Sequence, residues 1–244
     1  IMRKRISIVV LGVCAVIFAV CVILIAGSYM RKAPSAEEFK AAPEVTAPPV
    51  EAGYVSPVDF EALRAVNPEV VGWICIDGTE IDYPILCWPE DNSKYLNTDF
   101  RGREDKAGSI YIESFNSPDF SDFNTVIYGH NMRAGTMFAD LHRYEDGEFF
   151  FGHQTVRIYL PDRELIYKVF ASRIVSNRHI LSLCDNSDTD SCRRYLNAVL
   201  SAGNLVQDRD VQVTADDRIL SLATCWVNPD YRYAVYAVLT DVVS

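Results

Sequence analysis

The spacing of apolar positions divides the chain into three parts. Residues 6–27 form a run made almost wholly of Ile, Val, Leu, Ala, Phe and Cys, without a charged side chain. As a helix, a run of that size reaches about 33 Å, enough for a hydrocarbon core of about 30 Å. It exceeds the roughly 7–15 apolar residues of a cleaved signal peptide. It also leads into Tyr29, Met30, Arg31 and Lys32. The pattern therefore predicts an uncleaved membrane anchor over residues 6–30, preceded by a short tail, residues 1–5. Residues 31–56 show no apolar periodicity and carry Pro34, Pro43, Pro48 and Pro49, with Pro57 just beyond. Proline at that density predicts an extended stalk. The folded domain is expected over residues 57–244.

Within that domain the periods alternate between helix and strand. Phe60, Leu63 and Val66 recur at helical spacing behind Asp59, a suitable cap, which predicts a short helix over 59–66. Residues 72–77 and 79–85 flank the turn pair Asp77-Gly78 and predict a hairpin. Further strands are expected over 109–113 and 125–128, at Val156, Ile158 and Leu160, and over 165–175 after Pro161-Asp162. The last two are expected over 218–224 and 233–240. Helical stretches fall at 136–144 and at 189–202, where Tyr195, Leu196, Val199 and Leu200 make one apolar face. Many short strands with turn signals and no alternation of strand and helix predict an all-β-dominated, closed or nearly closed barrel with inserted helices.

Charge sharpens the division. Residues 1–32 hold Arg3, Lys4, Arg5, Arg31 and Lys32 and no acid. The remaining 212 residues keep 18 basic and 33 acidic side chains, a net charge of −15. A body of that sign is not a nucleic-acid binder, because phosphate binding needs a basic footprint. The basic residues ahead of the apolar run place the N-terminus inside and everything after Lys32 outside. With 49% apolar residues the domain has ample material for a core.

Five of the seven cysteines, Cys75, Cys87, Cys184, Cys192 and Cys225, lie in the outer domain. An odd number leaves one unpaired or bonded to another chain. Cys184 and Cys192, eight apart, allow a local disulfide. Cys225 ends the strand 219–224, and Arg232 opens the next strand after a short loop. A thiolate is the nucleophilic form of cysteine, and a nearby cation favours it. A guanidinium can also donate to an oxyanion. The acid/base partner must be a histidine. His130 ends the strand Val126-Ile127-Tyr128 after the flexible Gly129 and is the first candidate. His179, which precedes the inserted region, is the second. His142 and His153 read as surface residues.

These residues resemble a known family. Leu222-Ala223-Thr224-Cys225 followed by Arg232 is similar to the sortase signature, and Val126 to Met132 is similar to its histidine segment. Class B is indicated by Asn67-Pro68-Glu69-Val70-Val71-Gly72-Trp73-Ile74, Gly78-Thr79, Ile81-Asp82-Tyr83-Pro84-Ile85, Asp91-Asn92-Ser93-Lys94-Tyr95-Leu96 and Gly135-Thr136-Met137-Phe138. The resemblance covers about residues 57–244. It implies an eight-stranded closed barrel with N-terminal helices and a helix inserted before the cysteine strand. It implies Cys225 as nucleophile, His130 as general acid/base and Arg232 as oxyanion and positioning group. It also implies that Asn92, Leu96, Tyr128, Ala223 and Thr224 line the sorting-signal groove. Ala223 departs from the serine often found there in class B.

The implied reaction is transpeptidation. A surface protein with a C-terminal sorting motif is cleaved after threonine through a thioacyl enzyme. It is then joined to an amine of a peptidoglycan precursor or a pilin. No cofactor or metal is implied, and the lipid bilayer is met only through residues 6–30. Two alternatives stand beside this reading: a pilin-polymerising sortase, and a degenerate relative that only binds peptides. The retained Cys225, His130 and Arg232 argue against degeneracy. A cell-wall amidase would place its cysteine before its histidine, at a helix start, whereas here the order is reversed.

Overall fold

The computed structural model describes residues 53–178, 184–201, 203 and 205–244. The expected tail, the anchor over 6–30, most of the stalk and His179 lie outside the described residues. Among the described residues, no helix is long and apolar enough to cross a membrane.

The domain opens with helix α1, Phe60–Val66. The Asp59 side chain caps it by accepting from the Ala62 N–H at 2.9 Å. Phe60 and Leu63 turn inward, but Val66 at the last position is 41% exposed, so the expected apolar face is one residue shorter. Among the described residues this is the one helix ahead of the sheet. Strands β1, Val70–Ile76, and β2, Asp82–Leu86, pair antiparallel as the expected hairpin. Gly78 turns the chain between them at φ +77°, a conformation in which a side chain would be strained.

Seven more strands follow: β3, Ile110–Ile112; β4, Asn124–Tyr128; β5, Thr155–Tyr159; β6, Glu164–Ser176; β7, Leu205–Gln207; β8, Ile219–Cys225; and β9, Tyr231–Val243. The neighbour order is β5-β1-β2-β3-β4-β8-β9-β6, and β6 pairs back onto β5. That ring of eight is the expected closed barrel. The ninth strand, β7, was not expected. It attaches to Ala171–Arg173 of β6, while residues 164–168 of the same edge pair with β5. A 13-residue strand is long enough to serve both neighbours.

The helical stretch expected over 136–144 is instead a 3₁₀ segment, Ala139–Glu145, followed by a separate short helix α2, Gly147–Gly152. The inserted helix α3, Thr189–Leu200, is close to expectation. It buries Tyr195, Leu196 and Val199 against a cluster that includes Val126, Phe170, Ala223, Ala234 and Tyr236. Its Tyr195 hydroxyl meets the Ser221 Oγ at 3.2 Å, and that oxygen donates to Asn124 Oδ1 at 2.7 Å. A buried polar chain of this kind fixes the helix to β8 and β4 in one register.

Two pairings are parallel, β2 with β3 and β4 with β8. The second decides the chemistry. Parallel neighbours end at the same rim of a barrel, and an antiparallel neighbour begins there. The end of β4, the end of β8 and the start of β9 therefore meet at one rim.

Candidate active site

At that rim the last rung of the β8–β9 ladder pairs Cys225 with Arg232. On the other side of β8, Tyr128 of β4 lies level with Ala223. The Gly129 N–H donates to the Ala223 carbonyl at 3.2 Å, and the Thr224 Oγ1 donates to the Gly129 carbonyl at 2.8 Å. These bonds lock the strand that carries the cysteine to the segment that carries His130. The loop after His130 folds straight back: Asn131 bridges Met137, and the Phe138 N–H donates to the His130 carbonyl at 2.9 Å.

Gly129 is not a flexible joint, as the sequence suggested, but a site of close approach. A Cβ there would stand 2.4 Å from Ile110 Cδ1 and 2.7 Å from Phe138 Cγ. We expect Gly129→Ala to cost about 1–3 kcal/mol of stability through overpacking. It should also lower peptide cleavage by displacing His130. Thermal unfolding together with a cleavage assay would check this, and an unchanged melting temperature would contradict the packing argument.

The His130 Nε2 donates to the Leu96 carbonyl at 2.7 Å. A carbonyl only accepts, so Nε2 carries a proton in this bond. The two titrating groups shift in opposite directions. The hydrogen bond to Cys225 raises His130 above the ordinary imidazole range against the opposing effect of burial. The hydrogen bond to His130 lowers the Cys225 thiol, burial opposes it, and the Arg232 charge adds to the lowering. Both shifts move the pair toward a thiolate beside an imidazolium. Burial instead pushes Cys87, Cys184 and Cys192 up, Cys184 to about 12. Cys184 and Cys192 are both buried thiols, so the local disulfide considered from their spacing is not formed here.

The three side chains open onto a cavity of about 400 Å³. Its lining also includes Asn92, Leu96, Tyr128, Ala223 and Thr224, all five residues expected along the groove. Ser93, Tyr111, Gly129, Asn177 and Arg178 complete it. Beneath Asn92 lies Glu113, which is 0% exposed. Its carboxylate accepts from the Asn92 amide, from the Ser114 hydroxyl at 3.1 Å and from the Tyr128 hydroxyl at 3.1 Å. Burial, with Glu113 as the next cause, holds the Tyr111 and Tyr128 phenols well above their usual range, so both face the cavity as neutral groups. At Ala223 the methyl is buried in the α3 cluster and offers no polar atom.

Two histidines expected at the surface are half-buried and engaged. His153 stacks on Phe149 at 4.1 Å, with Nδ1 bonded to the Phe149 carbonyl. His142 is 21% exposed and reaches the back of the cysteine strand, where its Nε2 meets the Cys225 carbonyl at 3.0 Å. The aromatic residues that bury His142 come from the far β8–β9 turn, so nothing local in its own segment reveals it.

Comparison with known proteins agrees with this geometry. The sortase domain family matches residues 74–240. Sortase B of Listeria monocytogenes is 36% identical over 174 residues, which is 71% of this chain and 70% of that protein. The X-ray structure of Clostridium perfringens sortase B superposes with a TM-score of 0.68 at 29% identity, covering 74% of this chain and 99% of that one. A Staphylococcus aureus sortase B–substrate complex does so with a TM-score of 0.69 at 28% identity, covering 77% and 87%. With the strand order, the rim and the matched span in agreement, the chain belongs to class B of the sortase family and is a sortase cysteine transpeptidase.

Proposed function

We propose that Cys225 is the nucleophile, His130 the general acid/base and Arg232 the oxyanion donor of a transpeptidation carried out on the outer side of a cell membrane. The reading rests on one observation: Cys225 and His130 face one cavity together with Arg232, which stands opposite the cysteine in the strand ladder, and the thiol and imidazole there shift each other down and up. In the forward step the Cys225 thiolate attacks the threonine carbonyl of a C-terminal sorting motif. Negative charge builds on that oxygen, where Arg232 donates. The His130 imidazolium gives its proton to the leaving amine, and the peptide is held as a thioester. An acceptor amine of a peptidoglycan precursor or pilin then attacks, His130 takes its proton, and the thiolate leaves.

Asn92, Leu96, Tyr128, Ala223 and Thr224 form the groove for the sorting motif. The likeness to a Staphylococcus aureus sortase B–substrate complex supports a substrate-binding role for this chain. Asn92 is pre-oriented, its amide donating to Glu113 and its Oδ1 accepting from the Ser114 N–H at 2.8 Å. The Thr224 hydroxyl is already engaged with Gly129, so Thr224 contributes shape rather than a polar contact. Residues 6–30 anchor the protein in the bilayer with the N-terminus inside, and residues 31–56 hold the domain away from it.

The test is mass spectrometry of the full chain mixed with a library of threonine-containing pentapeptides, with and without an added amine. A thioacyl adduct on the peptide containing Cys225, released as an amide by the amine, is the expected result. An adduct mapping to another cysteine would sink the assignment. In the same assay Arg232→Ala should lower kcat about 10²–10³-fold, the loss of about 2.7–4 kcal/mol typical of one oxyanion donor.

A further inference from the structure

The carbonyl of Cys225 lies beyond the end of the ladder. Alternate carbonyls of a strand face the same neighbour. On the β4 side, the Ala223 carbonyl accepts the Gly129 N–H, which leaves the Cys225 carbonyl next along that edge. The matching position on the partner segment is Asn131, whose backbone has already turned back to bridge Met137. Two side chains replace the missing donor: Asn131 Nδ2 at 3.3 Å and His142 Nε2 at 3.0 Å. The shorter of the two contacts comes from His142.

His142 touches more than that carbonyl. Its ring stacks on Trp226, the residue after Cys225, at 5.3 Å, and on Tyr233, the residue after Arg232, at 5.1 Å. Trp226 and Tyr233 also stack on each other at 5.8 Å. The other ring nitrogen, Nδ1, meets Glu145 Oε1 at 2.8 Å, which sets the ring's orientation from its own 3₁₀ segment. Both nitrogens face acceptors. His142 is not among the cavity-lining residues.

We propose that His142 is a positioning residue for the transfer reaction: by holding the Cys225 carbonyl and packing between Trp226 and Tyr233, it fixes the strand ends that present the thiol and the guanidinium. The inference rests on Cys225 being the nucleophile, and a Cys225→Ala protein run alongside separates the two questions. If Cys225→Ala still cleaves, that assignment fails whatever His142 does.

The test compares two amides in the full chain. In His142→Gln the amide nitrogen sits about where Nε2 does, whereas in His142→Asn it stops near Nδ1 and cannot reach the carbonyl. Both lose the ring, so packing loss is common to them. We expect His142→Asn to lower kcat about tenfold relative to His142→Gln, the scale of one hydrogen bond. KM should be equal in the two. The rate of Cys225 alkylation by iodoacetamide, located by peptide mapping, should fall in the same order without any substrate present. Equal kcat and equal alkylation rates in the two variants would overturn the proposal, as would a difference confined to KM or one that follows their melting temperatures.

Discussion

Cys225→Ala should abolish thioacyl-enzyme formation and lower peptide cleavage by at least about 10⁴-fold, the scale seen when a covalent nucleophile is removed from a catalytic unit. The reason lies in how one cysteine differs from the others. Cys87, Cys184 and Cys192 are held as thiols by burial, and a thiol is a poor nucleophile. Cys225 alone among these is shifted the other way, by a hydrogen bond to His130 and the charge of Arg232. The fold should survive the change. Cys225 is half-buried, its backbone is held by the ladder and by two side-chain donors to its carbonyl, and none of these bonds uses the sulfur. The measurement is intact-protein mass spectrometry after exposure to peptide, with thermal unfolding as the folding control. Cys184→Ala is the matched comparison, since it removes a buried thiol from the α3 cluster away from the rim. Equal loss of activity in both variants, or persistent cleavage by Cys225→Ala, would show that the reaction does not run through this sulfur.

The barrel was legible because its strands announce themselves locally. The hairpin around Gly78, the alternation at Val156 and Ile158, and the two long strands flanking residues 226–230 each carry their own period. The short strand β7 does not, because three half-buried residues, Leu205–Gln207, are too few to show one. The candidate residues were legible as strand ends, but their convergence was not. Whether the end of β4 and the end of β8 meet at one rim depends on their pairing in parallel, and a parallel partner some 90 residues away leaves no local mark. The same cause hid His142. Its segment reads as a helical stretch, and its burial comes from Trp226 and Tyr233, two aromatic residues that a hairpin turn brings together. Gly129 looked like a hinge because glycine without context means freedom. In the structure it means that Ile110 and Phe138 leave no room for a methyl.

His130→Gln is the second change of large expected effect. General acid/base catalysis by a positioned side chain contributes about 10²–10⁴-fold, and glutamine cannot take or give a proton at neutral pH. More is lost than the proton transfer. The hydrogen bond from the imidazole is the largest cause of the lowered Cys225 thiol, so in the variant the thiol returns toward its ordinary value and less thiolate is present at neutral pH. The pH profile separates these contributions. In the native protein kcat/KM should fall on the acid side as the thiolate is protonated, at a lower pH than an ordinary thiol would show. It should fall on the alkaline side as the imidazolium loses its proton, at a higher pH than an ordinary histidine would show. The two limbs belong to the coupled pair rather than to either residue. In His130→Gln the alkaline limb should vanish and the acid limb should move up. Alkylation of Cys225 by iodoacetamide reads the acid limb without catalysis, so a midpoint that stays where it was in His130→Gln would show that the imidazole does not hold the thiolate.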